Sequence, residues 1–220
     1  MYEGVNRANY MIENKDKIDF PRKDELYAEV HFLRAFFYFE LVKIYGDVPL
    51  FTAGRLTAGD SGTLSRVSKS EVYSVIESDL LSAVSGLQAK KSSDGRATSF
   101  TAHALLGKVY LYQDKFSDAA NILEPLVGLY TLPSDPSSVF LVEGENGPES
   151  VFEIQHSKES NGWNWGWMPQ GTEGNFGVIH HGIRGYSGPV YASGWSFNVP
   201  TQDLVDAFDS GDKRKNASVL

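Results

Sequence analysis

The fold is decided by residues 29–50, which read EVHFLRAFFYFELVKIYGDVPL. With the residues before them, they place apolar side chains at steps of three and four, the spacing of one face of an α-helix. That face comprises Leu26, Val30, Leu33, Phe37, Leu41 and Ile44, and a second apolar set comprises Ala28, Phe32, Ala35, Phe36, Phe39 and Val42. The two sets together leave little of the helix to contact water. We therefore expect a core helix over residues 21–45.

The two ends of this helix, and the charged Arg34 on its apolar face, allow further predictions. Pro21 suits a first helical turn, and Gly46 suits a C-terminal cap before a turn that contains Pro49. Arg34 lies on the first apolar face, so its guanidinium should be partly buried and should have a partner. We interpret these residues as structural rather than as ligand-binding.

Three more helices are predicted downstream, so the chain is expected to be mainly α. Ser68 and Glu71 form a capping-box signature for a helix over residues 68–87, and two further helices are expected over residues 99–113 and 116–127. The last two are joined by only a few residues and should form an antiparallel hairpin. Small residues at Gly107 and Ala119 fit a tetratricopeptide-like unit, and the two earlier helices form a degenerate second unit.

The character of the chain changes after residue 130. The pattern predicts a short strand over residues 150–155 and a terminal helix over residues 201–208 that Thr201 caps. Residues 161–200 hold all four Trp, nine of the 21 Gly and two charged residues, Glu173 and Arg184. We expect residues 131–220 to form a loop-rich region with few short strands, packed on the helical scaffold of residues 1–130 as part of one domain.

Composition and charge exclude several function classes. The chain has 220 residues with 20 Lys and Arg against 28 Asp and Glu, a net charge of -8 that leaves no basic footprint for nucleic acid. The absence of Cys excludes disulfides, thiol nucleophiles and thiolate metal sites. No run of 18 apolar residues occurs, so no transmembrane helix is expected, and the first residues do not read as an export signal.

Motifs for catalysis or cofactor binding are missing from the sequence. It contains no His-Glu-x-x-His, no Gly-x-Ser-x-Gly and no glycine-rich phosphate loop. The five His are scattered, and Glu173 is the one acid in the aromatic region, whereas glycoside hydrolysis requires a pair of carboxylates. We therefore expect no catalytic residue, no metal site and no cofactor, although a second acid could come from elsewhere in the fold.

The aromatic region is the candidate binding site. Trp163, Trp165 and Trp167 alternate, so in an extended backbone their indoles would project to one side as a row. A sugar ring requires a flat apolar face to stack on and polar groups to satisfy its hydroxyls. The alternative is that these indoles pack the region onto the helices. The residues selected as glycan ligands are Trp163, Asn164, Trp165, Trp167, Tyr186 and Trp195.

Four blocks of sequence resemble one family. Residues 29–50 are similar to the signature helix and turn of the SusD/RagB family, which are nutrient-binding lipoproteins of the Gram-negative outer membrane. Further matches follow in order at residues 97–112, 149–155 and 200–212, so the resemblance covers nearly the whole chain. Family members are usually much longer and begin with a lipidated Cys after an export signal. The lipidated Cys and the export signal are absent from this sequence, and we expect it to be a fragment cut at both ends.

The resemblance implies a fold, a function and a location. The fold would be a tetratricopeptide-like helical scaffold decorated by irregular loops that bind an oligosaccharide or polysaccharide without catalysing a reaction. The full-length protein would be lipid-anchored on the extracellular face of the outer membrane, where it would pass glycan to a TonB-dependent transporter of the SusC type. Family binding loops vary in sequence, so the resemblance assigns no ligand role to a particular residue.

Two alternatives stay open from the sequence. A tetratricopeptide-type protein could bind a peptide or protein segment on a concave helical face, which would require a polar groove on the helices. A helical glycan-degrading enzyme would require two carboxylates about 5 to 10 Å apart beside the Trp row.

Overall fold

The computed structural model describes residues 1–89, 94–156, 177–189 and 193–219 of the chain. The chain forms two compact units, Met1–Thr131 and Leu132–Leu220. Helices dominate the described residues, and the strands found there are two residues long each. The expectation of a mainly α fold with few short strands is therefore confirmed.

The first unit, Met1–Thr131, is built from five α-helices in sequence order. They are α1 (Tyr2–Glu13), α2 (Lys23–Tyr45), α3 (Lys69–Gly86), α4 (Ser99–Leu111) and α5 (Phe116–Leu123). Each helix packs against the next one in the chain, and α2 also contacts α4. Between α2 and α3, strands β1 (Val48–Pro49) and β2 (Arg66–Val67) pair antiparallel, with Val48 opposite Val67. A 3-10 helix, Ala58–Thr63, lies in the connection between these strands.

Helix α2 is the core helix that the sequence predicts. It begins two residues after Pro21, and it ends at Gly46, whose φ of 68° lies in the region that favours glycine. Phe32, Tyr38 and Phe39 are fully buried, as expected of a helix covered on several sides. Two members of the predicted stripe, Leu33 and Ile44, are exposed instead, because the helices around α2 do not cover that part of its surface.

A polar network lies inside the first unit and centres on Arg34. Its Nε and Nη2 donate to the two carboxylate oxygens of Asp79 on α3, each at 2.7 Å. Its Nη1 donates to Asn9 Oδ1 on α1 at 2.9 Å and to the carbonyl of Thr52 at 3.1 Å. The Nδ1 of His31 lies 2.6 Å from Asp79 Oδ1. The predicted burial and pairing of Arg34 are confirmed, and the residue joins three helices and a loop.

Helix α1, which the sequence analysis did not predict, holds the loop that follows β1. The Asn6 side chain donates to the carbonyl of Leu56 at 3.0 Å and accepts from its N–H at 2.8 Å. Tyr2 donates its hydroxyl to the carbonyl of Pro49 at 2.9 Å, and its ring stacks on Phe51 with centroids 5.9 Å apart. Buried loop carbonyls need such donors, so α1 satisfies the backbone of a segment that lacks a regular ladder.

Helices α4 and α5 form the predicted hairpin. A Cβ at Gly107 would lie 2.5 Å from Leu123 on α5, so the two helices approach as closely as a glycine permits. Ala119 is fully buried in the same contact region of the hairpin. The predicted cap of α3 is also present, because Ser68 Oγ accepts from the N–H of Glu71 at 3.3 Å and donates to its carboxylate at 2.9 Å.

The second unit, Leu132–Leu220, has shorter elements. Its described helices are α6 (Gly177–His181), α7 (Gln202–Asp206) and α8 (Lys213–Ser218), and α8 packs against a 3-10 turn, Pro136–Phe140. Strands β3 (Ile183–Arg184) and β4 (Ser193–Gly194) pair parallel. The helix predicted over residues 201–208 corresponds to α7, which Thr201 caps by accepting from the N–H of Leu204. The sequence predicts it as the last helix, but α8 follows it.

The strand predicted over residues 150–155 is wrong. The described backbone there is irregular, although polar and apolar residue types nearly alternate in the sequence, as they would in a strand. Side-chain hydrogen bonds are found at this stretch: the N–H of Asn146 donates to Glu153 Oε1 at 2.9 Å, and the amides of Asn146 and Gln155 pair with each other. Local side-chain bonds of this kind compete with a strand ladder.

Candidate functional site

The residues selected from the sequence fall in two groups. Four of them lie outside the described residues: Trp163, Asn164, Trp165 and Trp167. Tyr186 and Trp195 lie inside them, within the second unit. The geometry of the candidate site is therefore built from residues 177–189 and 193–197.

Three aromatic rings meet on this part of the second unit, and we call them the aromatic cluster: His180, Trp195 and Phe197. The ring centroids of Trp195 and Phe197 are 5.2 Å apart, and His180 lies 5.6 Å from Trp195 and 5.9 Å from Phe197. The rings are mutually tilted by 34° to 46°. The Phe197 side chain is 63% exposed, and Trp195 is half-buried. The cluster thus offers solvent a concentrated apolar aromatic surface of the kind on which sugar rings stack.

Backbone hydrogen bonds hold the two segments of the cluster together. The N–H of Phe197 donates to the carbonyl of His180 at 2.9 Å, and the N–H of Ser196 donates to the carbonyl of Gly182 at 3.0 Å. Ser196 has a φ of 51°, a left-handed conformation that costs a non-glycine residue free energy. Such a conformation persists only where the neighbouring residues hold it. That conformation lets Trp195 and Phe197, on either side of it, bring their rings together.

Arg184 adds side-chain bonds to the same junction. Its Nε and Nη2 both donate to the carbonyl of Trp195, at 3.0 and 2.6 Å. Its backbone N–H donates to Ser196 Oγ at 2.8 Å. Arg184 lies on β3, beside Gly194 on β4 in the parallel pair, so the strand register places it next to Trp195.

Tyr186 lies in the turn after β3, where Gly185 has a φ of 68°. Its ring covers Gly188, because a Cβ built on that glycine would lie 2.3 Å from the tyrosine hydroxyl oxygen. Tyr186 is half-buried. A glycine at position 188 is therefore required for the orientation that the tyrosine ring adopts.

The electrostatics of the site suit an uncharged ligand. Within residues 177–189 and 193–200, Arg184 is the one residue with a permanent charge, and its guanidinium is bonded to a backbone carbonyl. Among the residues that the structure describes, no three His, Asp or Glu side chains are grouped as metal ligands. Stacking and hydrogen bonding are the interactions that such a surface can supply.

Two cavities elsewhere are weaker candidates for binding a sugar. One of about 280 Å³ in the first unit is mainly apolar, and its Tyr2 and Asn6 groups are already bonded to loop carbonyls. Another of about 380 Å³ in the second unit is lined mostly by Leu, Pro, Val and Phe, and its Arg214 is paired with Asp212. Both linings expose mainly apolar surface, whereas a sugar also needs polar partners.

Of the residues selected from the sequence, Trp195 lies in the aromatic cluster and Tyr186 lies against Gly188. Arg184, His180 and Phe197 were not selected. A signal existed for Phe197, because it stands two residues after Trp195 and repeats the alternation of the upstream Trp row. No spacing in the sequence indicates that His180, fifteen residues before Trp195, lies against it.

Comparisons with known proteins agree with this architecture. A SusD-like family model, described as starch-binding and associating with the outer membrane, matches residues 1–111. A SusD-like protein of Formosa agariphila is 27% identical over 99% of this chain and 43% of its own length. A solved structure described as a laminarin-binding SusD-like protein is 34% identical with a TM-score of 0.88, over 100% of this chain and 51% of that one.

A further solved structure is surface glycan-binding protein A from Bacteroides thetaiotaomicron in complex with laminarihexaose. It is 24% identical with a TM-score of 0.82, over 98% of this chain and 47% of that one, and this likeness shows the fold alone. The chain thus spans about two-fifths to one half of the length of these relatives. None of the described helices has the length and apolar character needed to cross a membrane. The family match covers half of the sequence, and the chain belongs to the SusD-like family.

Proposed function

We propose that this chain is part of a glycan-binding protein that holds oligosaccharides of the laminarin type on the aromatic region of its second unit. The observation that carries the proposal is the aromatic cluster, in which a largely exposed Phe197 and a half-buried Trp195 present ring faces together. Aromatic faces bind the C–H face of a sugar, and the uncharged surroundings suit a neutral glycan.

The Trp row extends this proposal. Trp163, Trp165 and Trp167 supply, by sequence, three more indoles within the same region, with Asn164 as a polar partner between them. Tyr186 supplies a phenol ring in the described part of that region. We propose that these residues and the aromatic cluster contact successive sugar units of one oligosaccharide. Several contacts are needed because a single aromatic contact contributes only about 1 kcal/mol and would bind the oligosaccharide weakly.

The ligand class comes from the relative that is 34% identical over the whole chain and is described as laminarin-binding. The family description names starch instead, so starch-derived oligosaccharides are the natural comparison ligands. We propose binding without chemical change to the glycan, since the relative that is 34% identical is described as a binding protein.

The wider biological role is a further part of the proposal. The family description associates its members with the outer membrane. We propose that the full-length protein is lipid-anchored on the extracellular face of that membrane. There it would pass its glycan to a TonB-dependent transporter of the SusC type.

A protein-interaction role on the helices is less favoured. Helix α2 packs against α1, α3 and α4, and its largest aromatic side chains, Phe32, Tyr38 and Phe39, are buried. A concave helical surface that binds peptides needs accessible side chains on the helices that line it. Most of the apolar surface of α2 is instead used for packing.

Isothermal titration calorimetry with laminarihexaose and maltohexaose tests the proposal. Phe197→Ala should weaken laminarihexaose binding about fivefold, the loss expected for one aromatic contact of about 1 kcal/mol. Phe116→Ala is the matched control, because Phe116 on α5 is 64% exposed against 63% for Phe197. Equal affinities in the two variants would contradict the site, and binding of maltohexaose alone would contradict the ligand class.

A further inference from the structure

Arg184 stands out in the aromatic region because of its charge. Residues 161–200 contain only one other charged residue, Glu173, which lies outside the described residues. An exposed guanidinium is well solvated in water, so a fixed pairing with protein groups requires a reason. Here both Nε and Nη2 converge on one acceptor, the carbonyl of Trp195, at 3.0 and 2.6 Å.

The same residue also holds the position after Trp195. Its backbone N–H donates to Ser196 Oγ at 2.8 Å, and that hydroxyl lies 3.3 Å from the carbonyl of Gly182, to which it donates. Ser196 adopts a left-handed φ of 51°, which persists only where the surroundings fix it. Arg184 therefore bonds to the carbonyl of Trp195 and to the residue that follows, and so fixes the peptide unit from which the indole projects.

We infer that Arg184 is a positioning residue for glycan binding. Its guanidinium holds the Trp195 backbone so that the indole stays against His180 and Phe197, and the glycan contacts the indole rather than Arg184. A stacking surface that is already fixed before the ligand binds does not have to be ordered on binding, so the entropy cost of ordering that surface is avoided. The inference rests on the proposed function, since it assigns Trp195 a place in the glycan site.

The first test reads the position of Trp195 without any ligand. Protein labelled with 5-fluorotryptophan gives one ¹⁹F NMR signal for each of the four Trp, and Trp195→Phe identifies the signal of Trp195. In Arg184→Ala we expect that signal to shift and broaden while the helical circular dichroism stays unchanged. Arg7→Ala is the control, because it removes another exposed Arg, one that is bonded to Glu3 on α1. An unmoved Trp195 signal in Arg184→Ala would overturn the inference.

The second test is a double-mutant cycle in laminarihexaose affinity. Arg184→Ala should weaken binding by up to about fivefold, since a residue that acts through Trp195 can cost no more than the one aromatic contact that it positions. Arg184→Lys, which keeps a charged donor, should recover part of that loss. If Arg184 acts through Trp195, Arg184→Ala should cause no further loss in a Trp195→Ala background, whereas independent contacts would give additive losses.

The outcomes separate the inference from the proposed function. Additive losses in the cycle would overturn the positioning role and leave glycan binding at Trp195 intact. Unchanged affinity in Trp195→Ala, together with a displaced ¹⁹F signal in Arg184→Ala, would overturn the glycan role of Trp195 and with it the positioning role in binding. The hydrogen bonds from Arg184 to Trp195 would then have a structural role without a role in binding.

Discussion

Arg34 and Asp79 illustrate how a buried charge shapes the first unit. Both side chains are almost fully buried, and transferring such charges from water costs several kcal/mol unless their hydrogen bonds are satisfied. Here every contact is supplied: Asp79 accepts from Arg34 and lies beside His31, and Arg34 also donates to Asn9 and to the carbonyl of Thr52. The pair therefore specifies how α1, α2, α3 and the loop after β1 fit together.

Removing one partner of this pair should strongly lower the stability of the protein. Asp79→Ala leaves the Arg34 charge buried without its carboxylate, and we expect the free energy of unfolding to fall by about 3 to 5 kcal/mol. Glu3→Ala is the control, because the Glu3–Arg7 pair is mostly exposed and should contribute less than about 1 kcal/mol. Urea denaturation followed by circular dichroism measures both values, and similar losses in the two variants would refute the role given to Asp79.

Tyr38 makes stability depend on alkaline pH. Burial raises the pKa of Tyr38 from 10.0 to about 12, and its hydroxyl donates to the carbonyl of Phe51 at 2.6 Å. Below pH 10 both states keep the proton, so the contribution is fully present. Between pH 10 and about 12 the unfolded chain loses the proton first, so the free energy of unfolding should fall, by about 2 kcal/mol.

Urea denaturation at pH 9 and pH 11.5 checks this, with Tyr38→Phe as the comparison. The variant should start less stable, because it loses the bonds to Phe51, but its stability should fall less between the two pH values. A fall as large as that of the unchanged protein would show that other groups cause the alkaline loss.

At the scale of elements, close helix contacts set the geometry of the first unit. A Cβ on Gly86, the last residue of α3, would lie 2.7 Å from the Cβ of Ala28 on α2. No side-chain rotation can relieve that overlap, because a Cβ is fixed to its backbone. The packing of α2 on α3 therefore depends on the absence of a side chain at position 86.

Gly86→Ala should destabilise the protein by about 1 to 3 kcal/mol, the usual cost of overpacking. In a double-mutant cycle with Ala28→Gly, thermal denaturation should give a favourable coupling of about 1 kcal/mol, because the second change restores room for the new methyl group. Gly62→Ala is the control, since a Cβ there meets open space and φ is not positive. Independent, additive effects would contradict the close contact.

The success of sequence reasoning differed between elements for physical reasons. Helix α2 and the α4–α5 hairpin follow from apolar periodicity and small residues, because apolar packing is what holds them. Helix α1 was missed because its apolar face is short: Val5 and Ala8 are buried there, and they share that face with the buried Asn9, whose amide donates to the carbonyl of Phe51. Residues 150–155 read as a strand in the sequence, but that pattern does not reveal the side-chain bonds of Glu153 and Gln155 with Asn146.

The candidate site was predictable only in part. The concentration of Trp and Gly marks the region, and Trp195 is found there in contact with two other rings. Its packing against His180 depends on the left-handed φ of Ser196 and on the pairing of β3 with β4. Such long-range geometry leaves no periodic signal in a single sequence.

For the whole molecule, the family match and the proposed ligand site involve different parts of the chain. The family match covers residues 1–111, within the first unit, whereas the aromatic cluster and the Trp row belong to residues 163–197 of the second unit. The proposal therefore separates a helical scaffold, which determines the fold, from an aromatic region, which determines the ligand. Mutations in the two parts should have different effects.

The Trp row tests that separation. Trp163→Ala, Trp165→Ala and Trp167→Ala should each weaken glycan binding by about fivefold and leave the helical circular dichroism unchanged, because the described helical core contains no Trp. Calorimetry and circular dichroism on the three variants check both statements. If all three variants unfold, the row belongs to the hydrophobic core.

The central claim, glycan binding by the aromatic region, is tested most directly by intrinsic Trp fluorescence during titration with laminarihexaose and a panel of other oligosaccharides. All four Trp lie between residues 163 and 195, so any change in their emission originates in that region. We expect a saturable change with laminarihexaose that is reduced in Trp195→Ala and retained in Phe116→Ala. No saturable change with laminarihexaose or any other glycan of the panel would contradict the claim.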